Sequence, residues 1–286
     1  MSIYNKSGIQ IYSAYNKSGT SLINAYDVSG GVVFAQSGIP LKVMTYNVGG
    51  WYIGSGTNVP TDKYEAYLAL QTGMIEGNDP DVLLIEEYLA NFSSGHPAID
   101  ILQGLFPYVH VKTSGTYYGR AVCSKYPITD YEEHYFTNDA SRYYDTCTIT
   151  ISGVTVTAVV THLDTDNTKK YAQIAELIPF LETLPKFFCG GDFNAYITHG
   201  QASPTSTNYI NNVKPFIDAG FNTANWGAYG FMDTYSDDDY TMGLDNIYTS
   251  SNITVTGAYV DETKMNDSIV DKIDHMPLIA TLTIPT

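Results

Sequence analysis

From Leu41 to the C-terminus, short runs of consecutive apolar residues alternate with segments whose apolar positions recur at three- and four-residue spacing, and loops rich in Gly, Pro and Asn separate them. The short runs are of strand length and rich in the β-branched and aromatic residues that a pleated surface accepts. They predict strands over 41–47, 81–87, 108–112, 121–124, 145–151, 155–161, 186–189, 244–249, 254–259 and 278–283. The helical spacing predicts helices over 62–76, around 98–105, over 168–183 and over about 209–219, the last with Pro215 inside it. Many strands and few helices imply an α+β chain in which two sheets pack together with helices outside.

The first 38 residues follow another rule. Tyr4-Asn5-Lys6-Ser7-Gly8 returns as Tyr15-Asn16-Lys17-Ser18-Gly19 and, loosely, as Tyr26-Asp27-Val28-Ser29-Gly30, a period of eleven. Asn, Asp and Gly supply the left-handed backbone of tight turns, and 9–12 and 31–34 read as short strands. Three such units cannot enclose a core of their own, so they need a partner surface: the main domain, sister chains or a larger assembly. Residues 1–38 are therefore expected as a repeat segment for docking or oligomerisation, and 39–286 as the main domain.

The chain has 286 residues, 44% of them hydrophobic, enough for a sizeable core. No run approaches the ~20 apolar residues of a membrane span, and the N-terminus lacks the basic-then-apolar pattern of a secretory signal. A non-exported chain is expected, its compartment open between the cytoplasm and a phage or cell-surface assembly. Thirty acidic residues against fourteen basic give a formal charge of −16. Such a surface cannot hold DNA by a broad basic face, so any nucleic acid must be gripped locally through a metal. Cys123, Cys147 and Cys189 lie in apolar runs with no CxxC spacing, as buried reduced thiols do.

Chemistry concentrates where the predicted strands end. Asn47, Glu86-Glu87, His162 and Asp192-Phe193-Asn194 each terminate an apolar run, with Asp245 and Asp274-His275 near the C-terminus. Strand ends on one edge of a sandwich lie close together, so these residues would converge on one acidic pocket with two histidines. Hard oxygen donors without a Cys/His cluster favour Mg²⁺, Mn²⁺ or Ca²⁺ over Zn²⁺.

Seven segments in order, Thr45-Tyr46-Asn47, Pro80 to Glu87, Ser124 to Ile128, Thr161-His162-Leu163, Gly191 to Asn194, Leu244 to Ile247 and Asp274 to Leu278, resemble the endonuclease/exonuclease/phosphatase superfamily that includes the pancreatic-type deoxyribonucleases. The resemblance implies a four-layer α/β/β/α sandwich of two mixed sheets and a metal-dependent phosphodiester hydrolase. It implies Glu87 as the main metal carboxylate, with Asn47 and Asp274 as further ligands or their supports. Asp192 and Asn194 match the pair that orients the attacking water and holds a phosphate oxygen. His275, its tautomer fixed by Asp245, would contact the scissile phosphate, and His162 would serve as acid for the leaving oxygen. Glu86 stands where the family usually has glutamine.

Outside those segments, Arg120 is one of only two arginines, with Arg142, and is the candidate phosphate clamp. Trp51 and Tyr52, in a Gly-rich loop after Asn47, are candidates to stack on a base. Asp237-Asp238-Asp239 lacks the spacing of a calcium loop and reads as a solvated turn. The fold alone does not choose a substrate. Gly243 and Ala195 depart from the abasic-site and inositol-phosphate branches, leaving an endonuclease on DNA as the expected activity. A phosphodiesterase or phosphatase acting on small molecules or phospholipids is the alternative, and a structural assembly protein carrying the domain as cargo is the reading from another class.

Overall fold

The computed structural model of the chain describes residues 3–4, 10–15, 21–26, 32–49, 61–88, 98–112, 119–137, 139–198, 203–236, 241–263 and 274–286. One sheet has nine strands: β1 Ile3–Tyr4, β2 Gln10–Tyr15, β3 Ser21–Tyr26, β4 Val32–Asn47, β5 Val82–Tyr88, β6 Tyr108–Lys112, β7 Gly119–Ser124, β15 Thr254–Val260 and β16 Leu278–Pro285. They lie in the order β1-β2-β3-β4-β5-β7-β6, with β16 on β4 and β15 beyond it. The other sheet has seven: β8 Ile128–Phe136, β9 Asp139–Ile151, β10 Val154–His162, β11 Phe187–Ile197, β12 Asn222–Thr223, β13 Tyr235–Ser236 and β14 Thr241–Thr249. Its order is β12-β14-β11-β10-β9-β8, with β13 on β14. Both sheets are mixed, since β4 runs parallel to β5 and β10 parallel to β11 among antiparallel neighbours. The helices are α1 Thr61–Asn78, α2 Ala98–Leu105, α3 Asn167–Glu182, α4 Thr207–Asn212 and α5 Lys214–Asp218.

Central strands are apolar on both faces because each face meets a different layer. Leu41, Val43, Val82, Leu84, Val160, Phe188 and Ile247 fill the space between the sheets. Their sequence neighbours Met44, Leu83 and Ile85 face outward to Met74 and Ile75 of α1 and Leu102 of α2. On the other side Val159, Phe187 and Cys189 pack on Leu177 and Leu181 of α3 and Phe216 of α5. These three apolar interiors make the four layers of the expected sandwich. The three cysteines are buried and unbridged.

Three local features differ from the sequence reading. Strand β8 is added at a sheet edge, where polar residues such as Asp130, Glu132 and Glu133 guard an exposed strand and erase its apolar signature. The helix expected over 209–219 is two helices, because Pro215 lacks the N–H that would continue α4 and instead opens α5. Strand β11 continues past Cys189 to Ile197, carrying Asp192 and Asn194 within the strand rather than after it.

In the N-terminal segment the eleven-residue period becomes one hairpin made three times: Tyr4 pairs with Gln10, Tyr15 with Ser21 and Tyr26 with Val32. Strand β4 runs unbroken through residue 38, where the two regions were expected to divide. Its first half carries β3, and its second half lies between β16 and β5. No helix among the described residues is long and apolar enough to cross a membrane.

Close strand approach fixes one glycine. A Cβ on Gly191 would lie 2.0 Å from the Thr161 carbonyl oxygen of the neighbouring strand, so Gly191→Ala should lower the unfolding free energy by about 3 kcal/mol, the upper end of overpacking costs. Gly73, inside α1 with open space around it, should behave oppositely, Gly73→Ala adding roughly 0.5–1 kcal/mol. Urea midpoints of the two variants against the parent check both signs.

Candidate active site

Strand alternation dictates what faces the layer between the sheets. The positions that bury Val43, Leu84, Val122, Val160, Gly190 and Ile247 there continue, two residues at a time toward one end of the sandwich, to Thr45 and Asn47, Glu86, Arg120, His162, Asp192 and Asp245. Register sets them side by side: Asn47 pairs with Glu86, His162 with Asp192, and Asp192 with Asp245. An isolated bridge between Tyr235 and His275 brings the last histidine to the same end.

Glu87 has the wrong parity and should point outward with Leu83 and Ile85. The pairing of β5 with β7 slips between Ile85 and Tyr88, and Glu87 takes a left-handed φ of 56°, so the bulge turns its carboxylate back to the pocket. There Asn47 Nδ2 donates to Glu87 Oε1 at 3.3 Å and to Asp192 Oδ2 at 3.1 Å. Asp192 Oδ2 is the meeting point: His162 Nε2 lies 3.4 Å from it and His275 Nε2 3.6 Å. Asp192 Oδ1 accepts the Asn194 backbone N–H at 2.8 Å, and Asn194 Nδ2 donates to the Leu163 carbonyl at 2.9 Å. Asp245 Oδ2 lies 2.9 Å from His275 Nδ1. His162 Nδ1 is 3.8 Å from Glu87 Oε1. Seven expected residues, Asn47, Glu87, His162, Asp192, Asn194, Asp245 and His275, thus occupy one pocket.

Electrostatics divides the two imidazoles. Burial pulls His162 well below the ordinary histidine range, and the positive charges of Arg142, Arg120 and His275 add to the effect. Burial acts the same way on His275, but Asp245 and Asp192, the hydrogen bond to Asp245 and the charge of Asp274 outweigh it and hold His275 well above that range. His275 is the cation of the pair and His162 the neutral ring. Burial raises Glu87 to about 7, helped by Asp192 and Asp274 and opposed by His275 and the Asn47 hydrogen bond. Asp192 is raised to about 6 by burial, with His275 opposing and Asp245 adding.

Glu86 points inward and is fully buried, accepting a hydrogen bond from Thr45 Oγ1 at 2.9 Å. Burial, and then the Asp245 charge, push it far above the ordinary carboxyl range. A protonated Glu86 has the charge and shape of the glutamine usual in the family it resembles, which accounts for the departure. Crowded carboxyls with raised pKa values are short of positive charge, and the Asp245 Oδ1 and Glu86 Oε2 atoms are buried without a hydrogen-bond partner. Asp192, Asp245 and His275 offer donor atoms within 4.8 Å of one another. His275, held as a cation, has no lone pair free for a metal, so a hard divalent cation fits instead the carboxylate oxygens that Asn47 brings together, those of Asp192 and of the more open Glu87, a side chain 29% exposed.

The other expected residues fall differently. Asp274 adjoins His275 and acts on the pocket through its charge, while its carbonyl accepts the Ser236 N–H. Arg120 is completely buried, its guanidinium 3.7 Å from the Tyr143 ring centroid, so its charge rather than its surface reaches the pocket. Burial alone does not set it apart from Asp192, His162 and His275, which are 2%, 3% and 5% exposed in the same pocket. Trp51, Tyr52 and the three aspartates 237–239 lie outside the described residues. Tyr235, edge-on to His275 at 5.3 Å, escaped the sequence reading because one tyrosine among twenty-five carries no signal.

The chain matches the sequence pattern of the Endonuclease/Exonuclease/phosphatase family over residues 44–269. No curated protein sequence matches it. Among solved structures it is similar to truncated TDP2 from Caenorhabditis elegans, at 19% identity and a TM-score of 0.61 over 85% of this chain and 97% of that one. It is also similar to an endonuclease/exonuclease/phosphatase family protein from Leptotrichia buccalis, at 18% identity and 0.63 over 84% and 98%. ANGEL2, a 2',3'-cyclic phosphatase crystallised with adenosine-2',3'-vanadate, has 14% identity and 0.63 over 86% and 96%.

Glu87 and Asp192 bind protons more tightly folded than unfolded, so their contribution to stability is largest below about pH 4 and is lost as pH rises toward about 7. His275, also raised, acts in the same direction, and neutral His162 opposes it. In EDTA the melting temperature should therefore be lower at pH 7.5 than at pH 5, and Mg²⁺ should raise it more at pH 7.5, because the ion competes with those protons. Differential scanning fluorimetry at both pH values checks this, with Glu87→Gln expected to flatten the dependence.

Proposed function

We infer the reaction from kinship and geometry together: the chain belongs to the endonuclease/exonuclease/phosphatase family, and it hydrolyses a phosphodiester with a divalent cation, Mg²⁺ in the first instance, DNA being the favoured substrate. The observation that carries this reading is the convergence of Asn47, His162 and His275 on Asp192 Oδ2 beside the half-open Glu87. Glu87, with Asn47 and Asp274, would hold the cation, which when bound neutralises charge on the phosphoryl and leaving oxygens. Asp192, raised to about 6, takes or orients the proton of the attacking water. Charged His275, steadied by Asp245, donates to a phosphate oxygen. His162 faces the leaving oxygen and needs the field of an arriving phosphate to take up the proton it would give. Asn194, tethered to Leu163, completes the phosphate-binding side.

A cation also reconciles an anionic substrate with a chain of charge −16. The vanadate-bound cyclic phosphatase among the structural neighbours supports a second reading within the same chemistry, a phosphatase or phosphodiesterase on a small molecule or phospholipid. Docking to an assembly or to sister chains through residues 1–38 is the part of the reading that concerns the hairpin ladder, which leaves β4 at the end away from Asn47, nine residues or about 30 Å along the strand from Gly38.

Turnover of supercoiled DNA, RNA, sphingomyelin and inositol phosphates with Mg²⁺ or EDTA tests the reading. Mg²⁺-dependent nicking of DNA is expected, and no hydrolysis of any of the four would overturn it. His162→Ala should lower kcat at least ~10²-fold without loss of folding. Glu87→Gln should raise the Mg²⁺ concentration needed for half-maximal rate, read from a metal titration.

A further inference from the structure

The pairing of β11 with β14 breaks between Asp192 and Ile197, leaving four residues of β11 outside the ladder at the point where it delivers Asp192 and Asn194. Asn194 and Tyr196 in this bulge take left-handed φ values of 48° and 50°, a conformation that side chains with a Cβ rarely adopt. Three successive carbonyls there have lost their strand partner, and each is taken by a side chain from a helix. Lys170 Nζ on α3 donates to the Asn194 carbonyl at 2.5 Å, Asn212 Nδ2 on α4 to the Ala195 carbonyl at 3.2 Å, and Asn208 Nδ2 on α4 to the Tyr196 carbonyl at 2.6 Å.

The helices are themselves fixed. Asp166 caps α3 by accepting the Lys169 N–H, and Ser206 caps α4 by accepting the Tyr209 N–H. One turn along α3 from Lys170, Gln173 Oε1 accepts the Asp164 N–H at 2.8 Å, so the same helix face also holds the chain leaving His162. Lys170 is fully buried, with its ammonium 4.7 Å from the centre of the Tyr196 ring. A buried ammonium is costly and an apolar side chain would pack there more cheaply. What the cation supplies is a charge-assisted donor to a carbonyl in a strained turn.

We propose that Lys170, with Asn208 and Asn212, is a positioning residue: the three donors clamp the bulge that aims Asp192 and Asn194 into the pocket, and set kcat without touching the phosphate. The kinetic half of this rests on the hydrolase reading above; the structural half does not. The test compares the full-length protein with Lys170→Met, Lys170→Arg and Asn208→Ala. Hydrogen–deuterium exchange of a peptide spanning 192–198 is measured alongside kcat and KM on bis(p-nitrophenyl) phosphate with Mg²⁺. Lys170→Met should exchange at least ~10-fold faster in that peptide and lose at least ~10-fold in kcat with KM within about twofold, as a misaimed catalytic group does. Lys170→Arg, which keeps the charge and the donor, should recover most of both. Asn208→Ala removes the donor to the Tyr196 carbonyl and leaves the buried ammonium in place, so it should fold even where Lys170→Met does not, and show the same two changes at roughly threefold. Parental exchange and parental kcat in the folded variants would overturn the clamp. If the parent hydrolyses nothing, the hydrolase reading fails while the exchange comparison still decides the clamp.

Discussion

A carboxylate taken out of water must keep its proton or find positive charge, and this pocket is organised by that necessity. The apolar layer between the sheets ends in acidic side chains because strand alternation continues past the last Val, Leu and Ile. Each acid meets the requirement differently. Glu86 keeps its proton and leans on Thr45. Asp245 lies against the charged ring of His275. Asp192 gathers an amide, a backbone N–H and two imidazoles. Glu87, the most open, accepts from Asn47, lies 3.8 Å from His162 and keeps a face toward solvent. That ordering from deep to open separates acids that shape the pocket from the one that can present itself to a cation.

Much of this was legible in the sequence because both layers of the signal are local. Apolar runs gave the strands, and the polar residue ending each run marked the pocket edge; the parity that puts Asn47, His162, Asp192 and Asp245 on one face is a matter of counting by twos. What was not legible depends on departures from counting. Glu87 reaches the pocket only through a bulge, and neither that slip nor the second one after Asp192 leaves a mark in residue type. Arg120 stood out as a candidate phosphate clamp because the chain has only two arginines; its burial against Tyr143 follows from the parity of β7, and the ring that covers it lies in the other sheet. Lys170 sat unnoticed in an amphipathic helix, its partner a backbone carbonyl that no sequence pattern names.

The two bulges also show a division of labour. Regular strands set the coarse positions of the pocket residues, and left-handed residues supply the last reorientation. Regular ladders hold themselves through backbone pairing. Irregular ones expose carbonyls, and side chains from neighbouring helices meet that demand. Helices α3 and α4 therefore do more than cover the sheet: they complete hydrogen bonding that the strand cannot.

Strand β4 has one further consequence. It passes without a break from the hairpin ladder to Asn47, and from Gly38 to Thr45 every residue has a partner in register on β16. Between Val32 and Asn47 the connection is one stiff spar, so whatever bends or tilts the hairpin ladder is felt directly at the strand end that carries Asn47.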